Sequence, residues 1–264
     1  MSKAEYLQTA LKAAVSAGNM IEERHKDILN VSRKESLRDI VTHVDKLAEN
    51  QIIDILKDYD KNIPILTEES GLVQGRTEKT YWIVDALDGT VNYVNHIPFY
   101  AVSIALFDKN KITVGVIFNP YSNELYYGSD GLGVFKNQKP MKIIDKVPEE
   151  CLFSMAFSGK NYEATKRVDE FLLFGKINDS SRGCLRTGSA AMNLAYLAEG
   201  KFGGCLGKAN KIWDVAAGLL LAKLAGSNVQ FKEVDKEKHL VNYIATIPKA
   251  WNLISSNIRG IYQV

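Results

Sequence analysis

The chain has 264 residues, with 33 lysines and arginines against 31 aspartates and glutamates and a formal net charge of +2. That length buries a substantial core without disulfides, and so even a balance supplies no basic field of the kind that holds nucleic acid, which excludes nucleic acid as a main partner. The three cysteines, Cys151, Cys184 and Cys205, are odd in number, far apart and without a C-x-x-C pair, which fits core thiols in a reducing cytoplasm.

"AEYLQTALKAAVSAGNMIEERH" carries apolar residues at helical spacing and is read as an amphipathic helix. The N-terminus has no unbroken apolar stretch like that of a signal peptide, and no run approaches the roughly 18 apolar residues of a membrane span. A soluble protein with no membrane partner is expected. The polar stretch "NVSRKESLRD" follows, and then "DIVTHVDKLAENQIIDILKDYD" is helix-periodic through Val44, Leu47, Ile52, Ile55 and Leu56, with Thr42 and Asp45 spaced like a capping box. "IPILTEES" reads as a short strand. "YWIVDALDG", "YAVSIALFD", "ITVGVIFNP" and "ELYYGSD" read as strands, several apolar on both faces and therefore central in a sheet.

After Pro148 the pattern mixes: a strand over 152–157, a helix over 162–174, a helix in "SAAMNLAYLAEG", and a helix in "IWDVAAGLLLAKLAG" that stops at Gly226. Sheets covered by helices suit this order, so the class is α+β or α/β in layers. No linker-like shift in composition occurs. Residues 1–145 and 146–264 are expected to form two halves of one unit.

The chemistry concentrates in "YWIVDALDGTVNY". Asp85 and Asp88 lie where an apolar strand ends in a turn, so both can face one point. Two ionised carboxylates a few Å apart repel unless a cation sits between them. Oxygen ligands with no Cys or His nearby suit Mg²⁺, Mn²⁺ or Ca²⁺, whereas the four histidines show no zinc-ligand spacing. Gly89 and Thr90 can open a helical turn whose N–H groups are free for phosphate oxygens. An EF-hand loop fails, because Leu87 and Gly89 occupy positions that need oxygen side chains.

Two further segments add acids, Glu68 and Glu69 in "LTEESG" and Asp214 in "IWDVAAG". Each feature also has an ordinary account. D-G-T is common turn and N-cap chemistry, Asp214 can cap its helix, Asp45 can belong to a capping box, and the glutamates can lie on a solvated edge.

Taken together and in this order, "DIVTHVD", "TEES", "WIVDALDGTVNYVNHIPFYAVSIAL", "GLGVFKN", "RTGSAAMNLAYLAEG" and "WDVAAG" resemble the inositol monophosphatase family of Mg²⁺-dependent, lithium-sensitive phosphatases. The resemblance implies an αβαβα sandwich, of the α+β class, and a homodimer. By position it implies that Glu68, Asp85 and the Leu87 carbonyl hold a first metal, that Asp85, Asp88 and Asp214 hold a second, and that Glu68 reaches a third, weaker ion. Thr90 would hold the attacking water with help from Asp45. The backbone of Gly89 and Thr90, near Asp88 and Lys34, would hold the phosphate, and Gly188, Ser189 and Ala190 would line the alcohol side. The expected reaction is hydrolysis of a small phosphorylated substrate, inositol monophosphate or a similar ester. A bisphosphatase or nucleotide phosphatase of the same superfamily, or a non-catalytic relative, are the alternatives.

The sequence departs from the family at four places. Ala86 stands where proline is usual, and Thr67, which can add a hydroxyl near the metal, stands where glycine or alanine is common. Gly207 stands where inositol-preferring members carry a glutamate that holds a hydroxyl, and Lys211 where they often have histidine. Lys211 is either a solvated lysine or a group that favours a second anion on the substrate.

Overall fold

The computed structural model describes residues 2–25, 32, 33, 40, 41, 43–77, 79–158 and 164–258. Helix α1 (Lys3–Glu23) begins with a reciprocal cap, Glu5 N–H to Ser2 Oγ at 3.3 Å and Ser2 N–H to Glu5 Oε2 at 2.8 Å. It buries Leu7, Ala10, Ala14, Ala17 and Ile21. Helix α2 (His43–Tyr59) buries Val44, Ala48, Ile52 and Leu56, and it also buries Asp45 and Glu49, one turn apart. Thr42, the other half of the expected capping box, lies outside the described residues.

Both helices cover one face of an eight-stranded sheet. Its order is β10 (Lys139–Pro140), β9 (Gly133–Lys136), β8 (Glu124–Ser129), β7 (Lys111–Asn119), β6 (Ala101–Asp108), β5 (Thr80–Asp88), β3 (Ile65–Thr67), β4 (Gly71–Val73). Only β3 and β5 run parallel; the other neighbours are antiparallel. The short strands β1 (Ser32–Arg33) and β2 (Ile40–Val41) pair separately. Alternation sends Trp82 and Val84 of β5, Val102, Ile104 and Leu106 of β6, and Val114, Val116 and Phe118 of β7 toward α1 and α2. Ile83, Ala105 and Ile117 go the other way, against α5 (Ala190–Ala198) and α6 (Ile212–Ala225). Burial on both faces is what these unbroken apolar runs predict.

Helices α5 and α6 have no polar face. Ala191, Met192, Ala195, Ala216, Ala217 and Leu221 meet the first sheet, while Leu194, Leu197, Val215, Leu219 and Ala222 meet a second. A helix apolar all round must be sandwiched. The second sheet has the order β12 (Gly183–Leu185), β11 (Leu152–Ala156), β13 (Phe202–Lys211), β15 (Leu240–Thr246), β14 (Asn228–Asp235). Its core takes in Leu173 and Ile177 of α4 (Ala164–Asp179) and Ile254 of α7 (Trp251–Asn257). The layers are therefore αβαβα. The expected 1–145 and 146–264 halves share the middle layer, because α5 and α6 belong to the second stretch yet cover the first sheet.

Helix α4 runs to Asp179, beyond the expected end at Phe174, and its expected start at 162 lies outside the described residues. Cys151, Cys184 and Cys205 are free and buried. Among the described residues, no helix is long and apolar enough to cross a membrane.

Candidate active site

In a regular strand, residues three apart point to opposite faces. Asp85 and Asp88 escape that rule through a β-bulge. Asp85 pairs with Ser103 and Asp88 with Ala101, so β5 spends two residues, Ala86 and Leu87, where β6 spends one, Val102. Ala86 and Leu87 both enter the core under α1 and α2, and Asp88 returns to the side of Asp85. The Leu87 N–H closes the bulge on Asp85 Oδ1 at 2.9 Å. The strand continues through Asp88, as the reading of "YWIVDALDG" as a strand expects, and a bulge stands where a turn between the two acids was expected. Ala86, which stands where the family usually has proline, is a buried strand residue within the bulge.

The parallel register of β3 with β5, Thr67 opposite Val84, carries Glu68 alongside Asp85. Asp214 arrives from the opposite layer in the first turn of α6, whose start is tied to β6 by Ser103 Oγ donating to the Trp213 carbonyl at 3.1 Å. Carboxylate oxygens of Glu68, Asp85 and Asp214 all lie within 4.8 Å of one another.

Burial raises the pKa of each acid in this cluster, and the neighbouring charges add to it. Burial, then Glu69 and Asp88, push Glu68 up to about 7. Burial, then Glu68, Asp88 and Asp214, hold Asp85 well above the usual carboxylate range. Asp214 is raised by burial, Asp88 and Glu68, and is pulled back by the Lys211 ammonium and backbone N–H. The N-cap position of α6, Lys211, makes no side-chain cap bond, and Asp214 sits in the first turn with its carboxylate in the cluster.

Asp88 stands beside the triad with one oxygen committed. Its Oδ2 accepts from the Ala191 N–H at 2.8 Å and from the Ser189 hydroxyl, and Ser189 in turn caps α5 by accepting from the Met192 N–H at 3.2 Å. Burial raises Asp88 to about 6 against the pull of these donors. Gly89 follows with φ of 90°, and a Cβ there would meet the Phe99 carbonyl oxygen at 3.0 Å, so glycine is required. It precedes the short helix α3 (Thr90–Val94). Thr90 Oγ1 lies 2.9 Å from the Leu87 carbonyl oxygen and 3.3 Å from Asp45 Oδ2. Burial first, then Glu68 and Glu69, hold Asp45 well above its ordinary range.

A cleft of about 160 Å³ opens from this centre, lined by Asp88, Asp214, Gly188, Ser189 and Ala190 together with Arg186. Lys211 is neither in that wall nor simply solvated: its ammonium donates to the Lys238 carbonyl at 2.8 Å and lies 4.9 Å over the Trp213 ring. Thr67 offers no hydroxyl to the centre. It is fully buried, with Oγ1 bonded to Gly71 O at 3.3 Å and to the Ser70 N–H at 3.2 Å within its own turn. Lys34 lies outside the described residues.

Sequence reasoning missed three supports. Glu49 is buried and its carboxylate receives the Glu69 N–H and the Ser70 N–H, each at 3.0 Å, and the Ser70 hydroxyl, which fixes the turn that presents Glu68. Asn92 donates to Phe99 O at 2.7 Å and Thr187 O at 2.9 Å, joining α3 to the segment before α5. Asn210 lines the cleft where Gly207 was expected to matter. The spacing of Asp45 and Glu49, one turn apart beside an apolar stripe, was the available signal for the first.

The donor set is oxygen alone and its acids repel one another, which fits a hard divalent cation and would be costly to bury without one. Fold and site together define a layered αβαβα scaffold with an acidic cluster, Glu68, Asp85 and Asp214, that could hold a metal ion. The sequence pattern of the inositol monophosphatase family matches residues 2–244, and the chain belongs to that family. It is 33% identical over 257 residues to the Nus factor SuhB of Escherichia coli, covering 96% of this chain and 95% of that protein. Among solved structures, the extragenic suppressor protein suhB of Bartonella henselae superposes with a TM-score of 0.87 at 30% identity, covering 97% of this chain and 99% of that one. The inositol monophosphatase of Anabaena superposes with a TM-score of 0.83 at 28% identity, covering 98% and 97%.

Proposed function

We propose that the protein is a metal-dependent phosphomonoesterase that hydrolyses inositol monophosphate or a similar small phosphate ester. The observation that carries this reading is the convergence of Glu68, Asp85 and Asp214, from two layers of the fold, on one point. Glu68, Asp85, Asp88, Asp214 and the Leu87 carbonyl would hold two or three Mg²⁺ ions, with Mn²⁺ or Ca²⁺ as substitutes. Bound there, the cation lowers the pKa of water and offsets charge on the phosphoryl and leaving oxygens.

The chain's own groups do the rest. Glu68 and Thr90 Oγ1 orient the attacking water, and Asp45 Oδ2 takes the proton that the water gives up through the Thr90 hydroxyl. The backbone of Gly89 and Thr90, with Lys34, holds the phosphate. The ester is cleaved to an alcohol and inorganic phosphate. Lithium inhibition, a homodimeric state and a cytoplasmic location belong to the same proposal and are supported by the family alone.

The test is turnover of a panel of phosphate esters by the purified chain, with and without Mg²⁺. Hydrolysis that depends on the cation is expected; no hydrolysis of any ester with Mg²⁺ or Mn²⁺ would overturn the proposal. The curated relative is named as a factor and not as an enzyme, which favours a second reading, a chain that keeps the fold and acts by binding a macromolecular partner. Inactivity on the whole panel is the outcome that reading requires.

A further inference from the structure

We infer that the groove between the free edges of the two sheets is a binding site for an aromatic carboxylate, and that a ligand there tightens divalent-ion binding at the acidic cluster. Among the described residues, β4 ends the first sheet and β14 ends the second. A groove of about 700 Å³ takes its walls from both, well above the roughly 300 Å³ at which ligand pockets begin. It is separate from the cleft beside Asp88, for no residue lines both.

The floor of the groove is apolar and its rim cationic. Leu66 and Leu72 face each other across β3 and β4, and Tyr81 of β5 lies with them, its ring stacked on Phe107 at 4.9 Å. An aromatic body therefore meets aliphatic side chains and a ring. Arg76 and Lys236 also line the groove; both are exposed, and neither has an ion pair among the described residues. The nearby Lys238, by contrast, is paired with Asp235 at 3.7 Å. Glu233 is the one acid of the lining, and burial, then Glu233, raise the Tyr81 phenol, which keeps it protonated. Two unpaired cations beside an apolar floor complement a single carboxylate on an apolar body. Arg76 is also held in place, since its own N–H and that of Thr77 donate to the Asn62 carbonyl at 2.6 and 3.1 Å. A donor on a pinned backbone loses little freedom on binding.

Two acids of the cluster are mounted on these walls. Leu66 stands two residues before Glu68, on the β3–β4 hairpin whose turn presents that acid. On the other wall, the turn over 236–239 holds the start of α6. The Lys238 carbonyl accepts the Lys211 ammonium at 2.8 Å, the His239 carbonyl accepts the Ile212 N–H at 3.0 Å, and the His239 ring lies 5.8 Å from that of Trp213, the residue before Asp214. The turn is itself closed by the Lys238 N–H on Asp235 Oδ1 at 3.0 Å, so bonded steps lead from the rim to α6. Ion binding needs Glu68 and Asp214 to stay within the 4.8 Å spread of the cluster. A ligand that bridges the two walls fixes the separation of their mounts and removes part of the freedom that the ion must otherwise restrict. That is a positive coupling, equal in both directions.

The probes are 2-naphthylacetate and its neutral twin 2-naphthylacetamide, titrated calorimetrically into the wild type, Arg76→Gln and Lys236→Gln, each with and without Mg²⁺. Both side chains are exposed, so neither substitution should unfold the chain. The acid is expected to bind about tenfold more tightly than the amide. Either substitution should remove most of that preference and leave the Mg²⁺ affinity of the probe-free protein unchanged. Saturating acid should tighten Mg²⁺ binding about fivefold, and Mg²⁺ should tighten the acid by the same factor. No binding of the acid, equal binding of acid and amide, a preference that survives in both variants, or a Mg²⁺ affinity indifferent to bound acid would overturn the inference. A protein that binds no Mg²⁺ at all overturns the metal centre of the proposed function, and the coupling with it, while the acid-over-amide preference still decides the groove.

Discussion

Replacing Glu49 with glutamine probes how Glu68 is held in position. The native carboxylate receives the Glu69 N–H on Oε2 and the Ser70 N–H and hydroxyl on Oε1. Glutamine keeps one oxygen. If that oxygen serves Ser70, the new NH₂ confronts the Glu69 N–H, donor against donor, at a site only 2% exposed. One charge-assisted bond is lost outright, the others weaken to neutral ones, and a buried donor is left unpaired, which together cost about 2–4 kcal/mol. Because Glu68 lies in the turn between Thr67 and Glu69, the same change should weaken divalent-ion binding, and saturating Mg²⁺ should recover only part of the lost stability. Urea unfolding of the two proteins, with and without Mg²⁺, and a calorimetric Mg²⁺ titration measure both effects. An Glu49→Gln protein within about 0.5 kcal/mol of the wild type, with unchanged ion affinity, would refute the reasoning.

The pH dependence of the metal-free protein follows from the raised acids. Glu68 at about 7 and Asp88 at about 6 have folded-state values above their ordinary 4.5 and 3.8, so the folded state binds more protons than the unfolded one. Their contribution to stability is full below about pH 4 and is lost as pH rises through 6 and 7; thermal melts from pH 4 to 8 should show that loss, and Mg²⁺ should suppress it. Asp88→Asn keeps an oxygen for Ser189 and Ala191 and removes a repelling charge, so turnover should fall on the order of 100-fold or more while the urea midpoint stays level or rises. A midpoint that drops with ion binding unaffected would assign Asp88 to capping alone. Gly207→Ala forces a methyl against Tyr243 and Asn210 and should cost about 1–3 kcal/mol by thermal denaturation; a neutral result would mean that those side chains move aside.

Much of the frame was legible because it is written in periodicity. The two-faced runs around Trp82–Val84 and Val114–Phe118 can only be central strands, and the all-apolar "WDVAAGLLLA" can only lie between sheets. The acids of the candidate site were legible as types, but their convergence was not. A bulge changes the pairing count between β5 and β6 and leaves no mark on the residue pattern of β5, so the strand was legible while the device that brings Asp85 and Asp88 to one side was read as a turn. Glu49 lies one turn from Asp45 beside the apolar stripe of α2, which is a weak local signal, but the backbone N–H groups about twenty residues away that satisfy it leave no mark in the sequence around it. Thr67 and Lys211 misled for the converse reason: each lies close to an acid in sequence, and each spends its polar atoms on a backbone neighbour instead.

The most direct measurement is a crystal structure of the protein with Mn²⁺, read by anomalous scattering. The account predicts a peak among the carboxylate oxygens of Glu68, Asp85 and Asp214 that is abolished by Asp214→Asn. Crystals grown with saturating Mn²⁺ that show these three acids together but no ion between them would contradict it.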